Sequence, residues 1–422
     1  MEKKKFFFKR SWRSIILLFS VFGPATITAL ADNDAGGVAT YSIAGAKLGY
    51  PILFMLPILT LLLAITQEMG MRLTIITRRG LADLIREKEG VRAALFMFTA
   101  LFIANVGTLV TEISAIKTTS QMFGIPEIPA VIFMVLLSFF VITRGSYKVT
   151  QNIMLFSSLI FFVYIFSAFK SNPDWGNALS NLIYPHGVNF TQTYMRDYLI
   201  IGLGVLGTTI TPWGQFFISS FAYDKKIEKG KVNLSQLETY WGAFLTDFFS
   251  FFMIVATATT LFANGIELTS GEQAALAIEP FAGKLASILF AVGILNAGFM
   301  GLVVVSLTTA YAFAEFFGVS GSLDDSFEKS KTFYYLYGFQ LVLALLIVVL
   351  SNFSLFQIAV VTQSINAVAL PLVFYYLIKL TNDQKLMGEH KNNSFKKWFT
   401  SISAVVIVIA SILTVLAYFV FE

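Results

Sequence analysis

The chain has 422 residues, of which 56% are hydrophobic and only 13% charged. A water-soluble domain must cover itself with polar side chains, so this balance excludes an ordinary soluble enzyme and makes lipid the solvent. The net charge of +5 is scattered between apolar blocks, which excludes a nucleic-acid partner, and without cysteine there is no disulfide, thiolate metal site or cysteine nucleophile.

The apolar blocks run to roughly 20 residues, the length that spans ~30 Å of hydrocarbon as a helix. Strands with open edges would leave backbone groups unpaired in lipid, so the fold class is an all-α integral membrane protein. The predicted spans, in chain order, are 14–47, 51–76, 93–116, 128–143, 152–169, 194–222, 239–263, 282–314, 333–350, 354–378 and 398–420. The first resembles a signal peptide, with basic residues ahead of an apolar stretch ending Ala29-Leu30-Ala31. Ten further spans and a continuing helical pattern favour a retained helix. The eighth is long enough to include a helix lying at the interface. His186 and His390 fall in predicted loops, so no buried histidine ligand set is expected.

Placing the N-terminus inside assigns 25 of the 30 basic residues to cytoplasmic segments, among them Lys3, Lys4, Lys5, Arg78, Arg79, Lys225, Lys226, Lys396 and Lys397. Only Lys47, Lys117, Lys170, Arg196 and Lys284 fall outside. Cytoplasmic loops carry the excess of Lys and Arg, so the N-terminus is predicted inside and the C-terminus outside a cytoplasmic membrane.

The loop at 171–193 divides the spans into two sets of five, which must run in opposite senses. The expected organisation is a basic cytoplasmic N-terminus (1–13), a first inverted repeat (14–170), a second (194–380) and an eleventh helix (395–422). Repeats of this kind place a substrate at mid-membrane, where the first helix of each repeat is broken. Both first helices carry the signs of a break. One reads Gly23-Pro24 through Asp32-Asn33-Asp34-Ala35-Gly36-Gly37; the other reads Gly207-Thr208-Thr209-Ile210-Thr211-Pro212-Trp213-Gly214-Gln215.

Asp34 lies about 20 residues into a span, where a charge costs at least ~3 kcal/mol on insertion scales. It reads either as an N-cap of the second half-helix or as a cation ligand, helped by carbonyls freed at Ala31 and along Gly36-Gly37. Asp32 reads equally as a second ligand or as a group facing an aqueous vestibule. Pro212 lacks an N–H and so frees the carbonyl of Thr208, which with the Thr211 hydroxyl offers hard oxygen to magnesium or manganese. The plainer alternative is a proline kink patched by threonines. Gln363 and Asn366 share one face of the tenth span and are able to bind an ion, its waters or a neighbouring helix. Glu112 is expected near an external end and Asp247 near the cytoplasmic end, each as a vestibule charge. The phenylalanines are read as lipid-facing bulk.

At these residues the sequence resembles the Nramp (natural resistance-associated macrophage protein) family of divalent metal transporters, from about Gly23 to Pro371. That family's first helix has Gly-Pro, nine residues, then Asp-Pro-Gly-Asn; here Gly23-Pro24 precedes Asp34-Ala35-Gly36-Gly37 at the same spacing. Its Met-Pro-His falls on Thr211-Pro212-Trp213, and its Gln with Pro eight residues on falls on Gln363 and Pro371. Thr66-Gln67-Glu68-Met69-Gly70-Met71-Arg72 through Gly80-Leu81-Ala82-Asp83 also resembles the family's second-helix end and following loop. The resemblance implies a LeuT-type fold of two inverted five-helix repeats plus an eleventh helix, working by alternating access. It also implies that Asp34, Gln363 and the carbonyls of Ala31 and Thr208 surround the ion.

Where the family has an asparagine ligand this chain has Gly37, and where it has a methionine ligand, Thr211. Loss of a thioether removes a preference for softer metals, and two shorter side chains enlarge the site, which suits a magnesium ion that keeps its waters. The pattern resembles the Nramp-related magnesium transporter branch, which also accepts manganese. Trp213 replaces a family histidine, and Leu109 a family aspartate one turn before Glu112. A proton relay is therefore not expected, and the membrane potential alone drives the ion. No cofactor is expected beyond the transported Mg2+ or Mn2+, and no partner beyond that ion and the bilayer. The alternatives are a proton-coupled Mn2+/Fe2+ symporter of the classical type and a Na+-coupled carrier of an organic solute. An embedded aspartyl protease using Asp34 and Asp247 is disfavoured by their different predicted depths.

Overall fold

The structure, a computed structural model, describes residues 23–266, 268, 279, 283–351 and 355–420. The start of the predicted first span and the basic Lys3, Lys4 and Lys5 lie outside them, as do residues 282 and 354, the predicted starts of the eighth and tenth. Among the described residues ten helical stretches are long and apolar enough to cross a membrane. The first span joins them as two shorter helices.

In chain order the helices are α1 (Pro24–Ala31), α2 (Ala35–Leu48), α3 (Met55–Thr77), α4 (Leu81–Met122), α5 (Glu127–Arg144) and α6 (Tyr147–Ser158). Then come α7 (Phe162–Lys170), α8 (Trp175–Asn181), α9 (Gln192–Thr209), α10 (Pro212–Asp224) and α11 (Val232–Thr260). The series ends with α12 (Lys284–Phe317), α13 (Lys331–Leu350), α14 (Leu355–Asn382) and α15 (Ser394–Val420). Within α4 the chain turns at Gly90, whose φ of 84° only glycine tolerates easily, so a short segment ending at Glu89 precedes the span proper.

Helices α1 and α2 together make the first span, and α9 and α10 the sixth. α1 packs on α10, whereas α2 packs on α9. Two broken helices can pair in this way only when they run antiparallel with their breaks at one level. That is the inverted relation expected of a LeuT-type fold of two five-helix repeats. Around this pair, α3 lies against α10, and α11 against α1, α2 and α3. The third, eighth and ninth spans (α4, α12 and α13) pack on one another alongside.

Burial corrects one reading of composition. Phe216, Phe217, Phe221, Phe290, Phe316 and Phe333 are all fully buried, while Phe96, Phe133 and Phe156 face outward. The phenylalanines thus fill interhelix volume as well as meeting lipid, because a wide bundle has more interior than small residues alone can pack.

At the end of α3 bearing Arg78, the buried Glu68 carboxylate accepts from Arg72 Nε at 2.7 Å, Gln236 Nε2 at 2.6 Å and Lys396 Nζ at 2.7 Å. Arg72 also donates to Asn392 Oδ1 at 2.6 Å and to the carbonyl of His390. This network ties α3, α11 and the start of α15 together.

Candidate substrate site at the two helix breaks

Each second half-helix begins with a side-chain cap. Asp34 has extended backbone (φ −61°, ψ 175°), and its Oδ1 accepts from Gly37 N at 2.7 Å. Thr211 does the same for α10, its Oγ1 accepting from Gly214 N at 3.0 Å ahead of Pro212. A cap satisfies one of the orphan donors at a helix start. The plain reading of Asp34 is therefore correct for one oxygen only. Its Oδ2 is buried with no hydrogen-bond partner.

The main-chain N–H groups of Ala35 and Gly36 go to Glu112, at 2.9 Å to Oε2 and 3.2 Å to Oε1. The Ala31 carbonyl thereby loses the donor that would stand four residues on. Pro212, having no N–H, leaves the Thr208 carbonyl in the same position. Each break thus leaves one carbonyl without its helical donor, and the first break also holds a half-free carboxylate.

Glycine lets these parts approach. A Cβ on Gly37 would stand 2.9 Å from the Asp32 carbonyl, 3.0 Å from Thr208 Oγ1 and 3.4 Å from Asp34 Oδ1. A Cβ on Gly207 would collide with the Gln363 carbonyl and stand 2.9 Å from Ala367 N, so α9 and α14 touch backbone to backbone there. That contact brings Gln363 to the break, where its Nε2 crowds Gly36. Thr208 Oγ1 and Gln363 Nε2 are both buried and unpartnered.

Of the residues singled out from sequence, Asp34, Thr208, Gly37 and Gln363 therefore come together, and Ala31 ends α1 three residues ahead of Asp34. Asn366 stands behind Gln363, donating to its Oε1 at 2.7 Å and to Thr108 Oγ1 at 3.2 Å. Thr211 and Asp32 form a second polar group. Asp32 Oδ1 accepts from Thr211 Oγ1 at 3.0 Å, and Oδ2 from Gln67 Nε2 at 2.9 Å. Asp32 is fully buried and faces no open vestibule.

Two expectations fail here. Glu112 is no vestibule charge: it is fully buried at the N-terminus of α2, beside Asp34, where backbone N–H groups and the helix dipole favour an anion. Asp247 is no end-of-helix charge. It sits midway along α11, where its Oδ2 accepts from Thr60 Oγ1 at 2.5 Å, and it shares a cavity with Phe169 and Trp175. Gln67 went unnoticed as a site residue, as did Gln215, whose amide atoms are both buried and unpartnered. The signal for both was a polar amide deep within an apolar span.

Comparison with known proteins bears on the family and the fold. The curated "Divalent metal cation transporter MntH" of Levilactobacillus brevis is 24% identical over 426 residues, covering 96% of this chain and 90% of that protein. The protein of the same name from Staphylococcus aureus is 26% identical over 417 residues, covering 94% and 90%. Among solved structures, a variant of the Eremococcus coleocola manganese transporter superposes with a TM-score of 0.77 at 21% identity, covering 94% of this chain and 86% of that one. A Na+-coupled sialic acid symporter superposes with a TM-score of 0.60 at 12% identity, covering 92% and 89%, a likeness in fold. The profile of the family described as natural resistance-associated macrophage protein-like matches residues 25–417, and the chain belongs to that family, Nramp.

Proposed function

We propose that this multi-pass membrane protein carries divalent metal ions, Mg2+ and also Mn2+, by alternating access and without proton coupling. The observation that carries the reading is the donor set at the two breaks. Asp34 Oδ2 lacks a partner, the Ala31 and Thr208 carbonyls are freed, and the Thr208 hydroxyl is unpaired, so every oxygen is hard. Position 211 offers a hydroxyl already turned to Asp32, and position 213 an indole, so neither sulfur nor imidazole enters the site. Among the described residues no three carboxylates or histidines meet. An ion held there keeps part of its water shell, as magnesium prefers. Gln363 contributes its oxygen if its amide and that of Asn366 both turn over, with Gln363 Nε2 then donating to Asn366 Oδ1. Asp32 and Thr211 hold retained waters. By the distribution of basic residues the N-terminus is inside and the C-terminus outside a cytoplasmic membrane, with repeats at 14–170 and 194–380.

One observation favours the rival proton-coupled manganese symport. Glu112 is a second buried carboxylate beside Asp34, and intramembrane carboxylates mark proton relays in transporters. The relatives named for manganese or divalent metal cations support the cargo class without choosing between the two. Liposomes holding a magnesium or manganese indicator and a pH dye decide. Entry of both ions without acidification, lost in Asp34→Ala, is the expected outcome. Manganese entry with acidification and no magnesium flux overturns the uncoupled magnesium reading.

A further inference from the structure

Asp247 plays no part in the site above, yet it is a carboxylate only 5% exposed in the middle of a membrane helix. Thr60 holds one oxygen; Oδ1 is buried and has no partner among the described residues. The residue lines a cavity of about 590 Å³ between α3, α7, α8 and α11, and among the described residues it is the only charged one that does so.

The rest of the wall is apolar apart from Thr60, with six aromatic side chains beside Leu56, Pro57, Leu179 and Leu182. The rings of Phe169 and Trp175 lie 4.7 Å apart between centroids, and both lie 6.1 Å from Phe252. Phe248 meets Phe252 edge to face at 5.1 Å. Aromatic faces carry negative electrostatic potential, so this wall and the Asp247 carboxylate attract charge of one sign. An anion is repelled, and a divalent metal ion finds too few oxygens. A neutral apolar guest would leave the buried carboxylate uncompensated. What fits is a monovalent organic cation, an ammonium or guanidinium on an aromatic or alkyl body, in a volume typical of small-molecule pockets.

The cavity also backs onto the first helix break. Thr246, next to Asp247, accepts at its carbonyl from Asn33 Nδ2 at 3.0 Å and donates its hydroxyl to the Ala29 carbonyl. One turn on, Ser250 Oγ donates to Asn33 Oδ1 at 2.9 Å. We propose that this cavity is a binding site for amphipathic organic monocations, separate from the transported ion's site, with the charged group on Asp247 and the apolar body against Phe169, Trp175 and Phe252. Because α11 grips the break through Asn33, an occupant steadies one arrangement of the broken helix.

The full chain in lipid nanodiscs tests this, with Trp175 as the reporter. The probe is para-bromophenethylammonium, whose bromine quenches a neighbouring indole; para-bromophenethyl alcohol is the uncharged comparison. The expected result is saturable quenching by the ammonium, absent in Trp175→Phe. The affinity should fall at least about tenfold in Asp247→Asn, to the level of the alcohol. Thr60→Val, which leaves the carboxylate in place, should retain ammonium binding and shows whether loss in Asp247→Asn reflects charge or folding. Mn2+ at saturating concentration should not displace the probe. Equal binding of alcohol and ammonium to the unmodified protein overturns the proposal. So does non-saturable quenching, which signals partition into lipid, and so does displacement by Mn2+, which places the probe in the central site.

Discussion

Gly207→Ala is the sharpest probe of how the candidate site is assembled. Replacing glycine by alanine inside a helix ordinarily stabilises it, by up to about 1 kcal/mol. Here the added methyl meets backbone, the Gln363 carbonyl and Ala367 N, and backbone does not rotate aside as a flexible side chain does. Helices α9 and α14 must part by more than about 1 Å to restore ordinary contact, an overpacking cost of ~1–3 kcal/mol that outweighs the helix gain. Gln363 moves with α14, away from Thr208 and Asp34. On the donor set proposed above, losing one neutral ligand worth about 1.4 kcal/mol weakens ion binding about tenfold. The comparison is Gly202→Ala on the same helix, whose Cβ would meet only the flexible Met55 side chain, 3.3 Å from Sδ. Thermal unfolding and manganese-dependent stabilisation, measured on both variants, should show Gly207→Ala destabilised with weakened binding and Gly202→Ala unchanged or firmer. If the two behave alike, the close contact at Gly207 does not set the site and the geometric argument fails.

Thr211→Met should shift uptake toward Mn2+ over Mg2+ in competition assays, since a thioether favours the softer ion. Loss of the Thr211 cap on Gly214 should also cost about 1 kcal/mol in unfolding measurements. Glu68→Gln leaves Arg72 and Lys396 without their shared carboxylate, and breaking such a buried pair costs ~3–5 kcal/mol. Hydrogen exchange should report loosening first where α15 meets α3 around Asn392 and Lys396. Asp34→Asn keeps the shape of the Gly37 cap but removes the charge, so metal-dependent stabilisation should vanish while unfolding without metal changes little.

The helices were legible because lipid leaves few options: spans of the right length, loops rich in Lys and Arg, and two breaks at matching places in two halves. Asp34 and Thr208 were legible because Gly and Pro mark where a helix opens, whereas Gln363 joined them only through the family resemblance. Contacts between distant helices were not legible. Glu112 looked like an end-of-span charge because counting along the chain measures depth from predicted boundaries, and α4 runs to Met122, beyond its predicted end. Its true neighbours, the N–H groups of Ala35 and Gly36, are 77 and 76 positions away in sequence. The same holds for Asp247, whose partner Thr60 lies 187 positions off.

Glu112 also gives the question of coupling a structural form. Its two oxygens take the Ala35 and Gly36 N–H groups, so the carboxylate acts as an external cap on α2 just where Asp34 is the internal one. A cap that only holds the helix and a carboxylate that exchanges protons make different demands on Glu112→Gln. The amide keeps one acceptor and loses the other, so a purely structural role predicts a loss of about 1.5–3 kcal/mol in stability. Transport by the surviving protein should then keep the pH dependence of the unmodified one. A relay role predicts that pH dependence flattens and that internal acidification disappears while metal entry persists. The uncoupled reading requires the first outcome. Acidification in the unmodified protein that Glu112→Gln removes would show that a carboxylate pair at the first break carries the proton.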